Sequence, residues 1–237
     1  QGDLHAGLEA LRSLLYALDP KRTTVVAVLA FQSALARPAG WENERYGLFI
    51  SGRTGSLKTS FAQVLMCIWG ARFIDDSVLL KLGEGATRFS LGKYATQVYD
   101  LPMLFDNFKP NTGDGDRGFV NLLHNLLEGG ERDRLRNVYE LSDGKPFHAW
   151  PIFTGEDVPQ GDPATLARML VVPFEWQERG GRTEVENYAL AQAQSNARHL
   201  PAVGAAWLDW LESEDAQPVL ADLRKRFPVA RMLWVSR

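Results

Sequence analysis

The sequence contains a single cysteine, Cys67, among its 237 residues, so an intrachain disulfide framework is excluded and a reducing compartment is indicated. This cysteine lies within the apolar run 64–69, where we expect a buried small hydrophobe and not a reactive thiol. The chain is nevertheless long enough to bury a substantial core without covalent cross-links.

Long apolar runs are also missing. A membrane-spanning helix needs about 18 or more consecutive apolar residues, and no segment approaches that length. The first five residues lack the basic and then apolar pattern of a signal peptide. We therefore expect a cytoplasmic protein with no membrane partner. Because the chain lacks an initiator methionine, we also expect it to be a domain excised from a longer protein.

An excess of positive charge is absent as well. The formal net charge is −3, so no overall basic field indicates a nucleic-acid partner, although a local basic groove remains compatible with this balance. His124, His148 and His199 have neither cysteine partners nor the spacing of paired metal ligands. We expect these histidines to be structural or exposed.

Helical patterns occupy both ends of the chain, and short apolar runs alternate with helical patterns between them. This alternation is typical of an α/β fold in which a parallel sheet is covered by helices on both faces. We predict an N-terminal helical segment at 1–44, an α/β core at 45–178 and a C-terminal helical lid or connector at 179–237.

One loop matches the pattern of a phosphate-binding site. A phosphate cradle needs a strand, a glycine-containing turn and a helix whose N-terminus faces the anion, and the segment 46–60 supplies all three. Against the pattern G-x-x-x-x-G-K-[ST], Lys58 would contact the outer phosphates and Thr59 would bind magnesium, whereas Leu57 replaces the second glycine. The predicted nucleotide-binding loop comprises Gly52, Arg53, Thr54, Gly55, Ser56, Leu57, Lys58, Thr59 and Ser60.

Hydrolysis also requires an acid at the end of a neighbouring strand and a group that activates water. Asp106 closes the apolar run 102–105 and is predicted to bind Mg²⁺ together with Thr59, although a simple turn aspartate is the alternative. Asn107 follows, and an amide can orient water but cannot accept its proton. Either another carboxylate, such as Glu156, assists or hydrolysis is slow.

Two more motifs follow along the chain. Thr154 and Glu156 close another predicted strand, and either would sense the outer phosphate or position water if that strand lies beside the Asp106 strand. Arg168 immediately precedes a strand, where a guanidinium can offset the charge of the transition state in a neighbouring subunit. An ordinary capped loop and a surface salt bridge are the respective alternatives.

Three arginines alternate with other residues at Arg132, Arg134 and Arg136. In an extended hairpin they would share one face, because alternate residues of a strand point the same way. Such a face would contact a nucleic-acid backbone. A solvated hairpin with no ligand is the other interpretation.

The order of these motifs over about 48–174 resembles AAA+-like P-loop ATPases, and above all the superfamily 3-type helicase domains of phages, plasmids and integrated elements. The resemblance implies an ASCE-type P-loop fold and a hexameric ring that moves along DNA, expected to be single-stranded, using ATP and Mg²⁺. It also implies a fused or associated primase domain. In this sequence it assigns Arg168 as the arginine finger, Thr154 or Glu156 as the first sensor, and the three arginines to a hairpin in the central pore.

We therefore expect the ATP-hydrolysing motor of a mobile-element DNA replication helicase. One alternative is an AAA+-type loader that assembles another protein on DNA without unwinding it. Another is a degenerate module whose nucleotide only stabilises an assembly, which Leu57 and Asn107 would explain. A small-molecule kinase fits less well, because no acceptor-binding domain is evident.

Overall fold

The computed structural model contains a parallel sheet with helices on both faces. The structure describes residues 2–41, 44–75, 80–81, 94–108, 123–127, 134–137, 140–142, 147–158, 163–174 and 183–235. The strands are β1 Gly47–Ser51, β2 Leu80–Lys81, β3 Tyr99–Phe108, β4 Arg134–Asn137, β5 Glu140–Ser142, β6 His148–Gly155 and β7 Met169–Pro173. The helices are α1 Leu4–Tyr16, α2 Pro20–Ala36, α3 Lys58–Met66, α4 123–127, α5 Pro163–Leu166, α6 Glu184–Ser195, α7 Leu200–Glu212 and α8 Ala216–Val235.

In the part of the chain that the structure describes, five strands form the main sheet in the order β2-β3-β6-β1-β7, and every neighbouring pair is parallel. β3, the strand that contains Asp106, is therefore not beside the P-loop strand β1, because β6 lies between them. This order confirms the predicted α/β fold of the P-loop, ASCE type. It also places β6 next to the Asp106 strand, which was the condition for Thr154 and Glu156 to reach the same site.

The sheet is buried on both faces because its strands alternate between two apolar clusters. Leu48, Ile50 and Ile152 belong to the cluster that includes α1, α2 and α3, whereas Phe49 and Phe153 belong to the cluster that includes α4. Adjacent residues of a strand point to opposite faces, so β1 is apolar at almost every position. The continuous apolar run 48–50 is explained by this double burial.

The N-terminal and C-terminal helices pack against each other over the α3 side of the sheet. Gly7 of α1 lies so close to the segment before α7 that a Cβ atom would be 2.6 Å from the carbonyl oxygen of His199. Trp207 of α7 packs edge-on against Phe31 of α2, with ring centroids 5.6 Å apart, and its Nε1 donates to the Phe31 carbonyl at 3.3 Å. The division at 44 and 178 remains a prediction.

Helix starts follow the capping chemistry of the sequence. The Asp3 side chain accepts a hydrogen bond from the Ala6 amide at 3.1 Å at the start of α1. Thr183 and Glu186 form a reciprocal capping box at the start of α6, and the helix begins where this box allows it.

Cys67 is fully buried, and burial raises the pKa of its thiol to about 11. The thiol therefore stays protonated near neutral pH, as expected for a packing residue. Among the described residues, no helix combines the length and apolar character needed to cross a membrane.

Candidate nucleotide-binding site

A cavity of about 280 Å³ opens at the carboxyl ends of β1, β3 and β6. Ligands of open parallel sheets bind at this edge, because the loops that follow the strands converge there. The cavity therefore joins three motifs that are distant in the sequence. It is lined by Thr54, Gly55, Leu57, Lys58, Thr59, Ser60, Asp106, Asn107, Thr154, Gly155 and Glu156.

The first glycine of the loop is required by a close approach of the backbone. Gly52 has a φ of +154°, and a Cβ atom there would lie 2.6 Å from the Phe174 carbonyl oxygen. Its amide donates to the carbonyl of Gly155 at 3.1 Å, which ties the loop to the end of β6. Gly155 was not among the predicted site residues. The sequence feature that could have identified Gly155 is its position between Thr154 and Glu156 at the end of a predicted strand.

Leu57 adopts the left-handed conformation, with φ 61° and ψ 21°, directly before α3. Glycine reaches this conformation without strain, whereas a residue with a Cβ atom pays roughly 1–2 kcal/mol. The Leu57 side chain is partly buried against the apolar cluster on the α3 side of the sheet, which offsets part of that cost. The departure from the glycine pattern thus leaves the turn into α3 intact.

Leu57→Gly is expected to keep ATP affinity within about threefold of the wild type, since glycine adopts the same backbone conformation. Leu57→Val is expected to weaken binding by about tenfold, because a β-branched residue is strongly disfavoured at positive φ. Calorimetric titration of both variants tests this pair. Equal affinities for glycine and valine would mean that the conformation at this position is irrelevant to binding.

Lys58 is only 8% exposed, and its ammonium group is directed into the loop that precedes it. Nζ donates to the carbonyl oxygens of Gly52 at 2.6 Å and Arg53 at 3.0 Å, and to Ser56 Oγ at 3.2 Å. Burial lowers the pKa of Lys58, while the charges of Glu156 and Asp106 act in the opposite direction. A phosphate in the loop would add an anion next to this desolvated cation.

Two side chains, those of Thr59 and Thr154, converge on one oxygen of Asp106, which is 6% exposed. Thr59 Oγ1 donates to Asp106 Oδ1 at 2.7 Å, and Thr154 Oγ1 donates to the same oxygen at 2.5 Å. The backbone N–H of Asn107 in turn donates to Thr154 Oγ1 at 3.2 Å. The predicted magnesium residues, Thr59 and Asp106, are therefore in direct contact.

The donor set fits magnesium. Mg²⁺ prefers hard oxygen ligands and is usually held by one or two carboxylates together with substrate phosphates, not by a cage of protein ligands. Thr59 and Asp106 offer a hydroxyl and a carboxylate oxygen. Within the described ranges, no group of three or more histidine, cysteine, aspartate or glutamate side chains is placed to hold a metal.

Asn107 has a φ of +63° and sits where the register between β3 and β6 shifts, between Phe105 and Phe108. Such a bulge redirects side chains next to active sites, and asparagine tolerates the left-handed conformation better than most residues. Glu156 lies across the cavity, where its Oε1 accepts a hydrogen bond from the Thr54 hydroxyl of the P-loop. Glu156 thus provides a carboxylate at the P-loop, although residue 107 is an asparagine and not an acid.

Arg168 is not brought into this cavity. Its carbonyl accepts a hydrogen bond from the Gly47 amide at 2.9 Å, at the start of β1. The P-loop follows the other end of β1, roughly 16 Å away at about 3.3 Å per residue. The exposed Arg168 side chain therefore lies at the opposite edge of the sheet from the P-loop of its own chain.

The arginine segment forms an antiparallel hairpin in the part that the structure describes. β4, which contains Arg134 and Arg136, pairs with β5, with a register shift between Leu135 and Asn137. Arg132 lies outside the described residues. The hairpin itself was predicted, and its contact with nucleic acid remains a prediction.

No protein-family model and no curated protein match this chain. Among solved structures, it is similar to an inhibitor-bound JC virus (JCV) helicase, with a TM-score of 0.50, 12% identity and coverage of 97% of this chain and 62% of that chain. It also matches the C-terminal region of NrS-1, with a TM-score of 0.44, 13% identity and coverage of 94% of this chain and 52% of that one. This chain thus spans less than two thirds of either structure, and the likeness to the JC virus helicase is one of fold.

Proposed function

We propose that this chain is the ATP-hydrolysing motor domain of a mobile-element DNA replication helicase, working as a hexameric ring on single-stranded DNA with Mg²⁺. The observation that supports it best is the contact between the P-loop helix and the Asp106 strand. Lys58 and Thr59 begin α3, and the Thr59 hydroxyl is 2.7 Å from Asp106 Oδ1 in one cavity. A cytoplasmic setting and a fused or associated primase domain are part of this proposal.

In the proposed reaction, the loop amides at the start of α3 and the Lys58 ammonium bind the outer phosphates. Thr59 and Asp106 would hold magnesium, which would supply positive charge at the phosphate oxygens. A water oxygen attacks the terminal phosphorus, its proton goes to the general base, and the bond to the ADP oxygen breaks. The products are ADP and inorganic phosphate.

Glu156 is the base in this proposal. Asn107 cannot accept a proton, and its left-handed backbone at the bulge is a conformation that a glutamate would adopt only with strain. Glu156 lines the same cavity and reaches the P-loop through Thr54. It is also exposed, so water can reach its carboxylate.

A ring is supported by the position of Arg168. An arginine at the opposite sheet edge cannot contact the nucleotide of its own chain, but an adjacent copy can bring it to the neighbouring site. In such a ring the hairpin with Arg132, Arg134 and Arg136 contacts the DNA backbone, where cations are attracted irrespective of base sequence.

Arg168→Ala is expected to leave ATP affinity unchanged and to lower turnover about 10³-fold or more, as removal of an arginine finger does. The test measures ATP hydrolysis by the longest available chain, with and without single-stranded DNA, while recording its mass in solution. Arg12→Ala, an exposed arginine of α1, is the matched control. Normal turnover by an Arg168→Ala ring would contradict the finger assignment.

The same experiment separates the proposed motor from its rivals. Turnover raised by DNA in a ring-sized assembly supports the motor, and strand displacement by the full protein distinguishes it from a loader. Nucleotide binding without turnover, even as a ring on DNA, would replace the motor with a nucleotide-stabilised assembly module.

A further inference from the structure

The Thr154 hydroxyl is committed to two hydrogen bonds inside the protein. It donates its only proton to Asp106 Oδ1 at 2.5 Å and accepts the Asn107 amide at 3.2 Å. A hydroxyl has one proton to donate, so Thr154 cannot donate to a phosphate oxygen while it holds Asp106. The residue is also 1% exposed, so its side chain is held among protein atoms at the wall of the cavity.

From this geometry we infer that Thr154 is a positioning residue of the magnesium site and does not sense the outer phosphate. Two hydroxyls, from Thr59 on α3 and Thr154 on β6, donate to the same carboxylate oxygen. They approach Asp106 from different elements and so fix the rotation of its carboxyl group. A residue of the neighbouring strand β6 thereby helps to orient the Asp106 carboxylate that is proposed to bind magnesium.

The bulge in β3 takes part in this arrangement. The left-handed conformation of Asn107, at φ +63°, accompanies the hydrogen bond from its amide to Thr154. That bond occupies an acceptor position of the hydroxyl and leaves its proton for Asp106. The irregular backbone at 107 thus serves the magnesium ligand, which gives this position a role other than proton transfer.

The inference rests on the proposed nucleotide site, and it separates metal binding from nucleotide binding. Without the Thr154 hydroxyl, Asp106 loses a charge-assisted hydrogen bond and the Asn107 amide loses its acceptor. Loop contacts to the phosphates do not involve Thr154. The Mg²⁺ concentration that half-saturates ATP binding should therefore rise about tenfold or more, while ATP binding in EDTA should stay within about twofold.

The experiment measures binding of a fluorescent ATP analogue and of the matching ADP analogue to the full chain, in EDTA and across a Mg²⁺ titration. Thr154→Val removes the hydroxyl at constant shape. Thr154→Ser and Thr154→Ala form a second pair that differs only in the hydroxyl, so that a folding defect of the valine variant does not decide the result. Thr23→Val, a fully buried threonine of α2 whose hydroxyl donates to the Leu15 carbonyl, is the matched control.

The expected result is a raised Mg²⁺ requirement for Thr154→Val and Thr154→Ala, and wild-type behaviour for Thr154→Ser and Thr23→Val. Three results would overturn the inference. The first is an equal loss of affinity with and without Mg²⁺ in the hydroxyl-free variants. The second is a selective loss of ATP relative to ADP at saturating Mg²⁺, which is the behaviour of a phosphate sensor. The third is no analogue binding by the wild type, which would remove the nucleotide site itself.

Discussion

Replacing Lys58 by alanine is expected to weaken ATP binding about 100-fold, because the ammonium forms charge-assisted bonds to phosphate worth roughly 1.5–3 kcal/mol each. The unliganded protein should unfold at nearly the same temperature as the wild type. Lys58 is 8% exposed, and the desolvation of its charge offsets the hydrogen bonds that it donates within the loop.

Two measurements check this expectation. Calorimetric titration gives the affinity, and thermal unfolding with saturating ATP should show the ligand-induced stabilisation of the wild type but not of Lys58→Ala. Lys21→Ala removes an exposed lysine of α2 outside the cavity and serves as the control. Wild-type affinity in Lys58→Ala would show that the loop is not a phosphate site.

Glu156→Gln is expected to lower ATP turnover about 10²–10⁴-fold while ATP affinity changes little, because only the proton acceptor is lost. The amide oxygen of glutamine still accepts the Thr54 hydroxyl, so the contact between β6 and the P-loop persists. Single-turnover hydrolysis with a phosphate-release assay separates the chemical step from binding.

Asp157→Asn makes the same change at the next residue, which is exposed and does not line the cavity. Turnover in this control should match the wild type. A Glu156→Gln variant that hydrolyses ATP at the wild-type rate would remove Glu156 as the base. The slow hydrolysis that Asn107 alone permits would then be the remaining explanation of any turnover.

The strand, turn and helix of 46–60 were predictable because their signal is local. The strand, the turn and the helix of 46–60 are contiguous, and each part has its own residue preferences. The Asp106 strand was predictable as an apolar run closed by an acid. Its length was not: the run 102–105 is part of a strand that extends over Tyr99–Phe108. Tyr99 belongs to this strand because it pairs with His148 of β6.

The positive φ angles of Leu57 and Asn107 were not predicted from the sequence, because tertiary contacts impose them. Leu57 looked like a defect in a glycine pattern, yet its conformation completes the turn before α3 while its side chain packs on the core. Asn107 looked like the loss of a catalytic acid. Its conformation belongs to a register shift that exists only because β3 pairs with β6.

Burial periodicity and turn chemistry act over a few neighbouring residues, so the alternation of strands and helices and the strand, turn and helix of 46–60 follow from the sequence alone. Which strand ends meet depends on the tertiary fold. Periodicity does not specify strand order, and it was the insertion of β6 between β1 and β3 that brought Thr154 to Asp106, 48 residues away. The parallel direction of β1 and β7 likewise placed Arg168 at the far edge, because parallel strands start at the same side of a sheet.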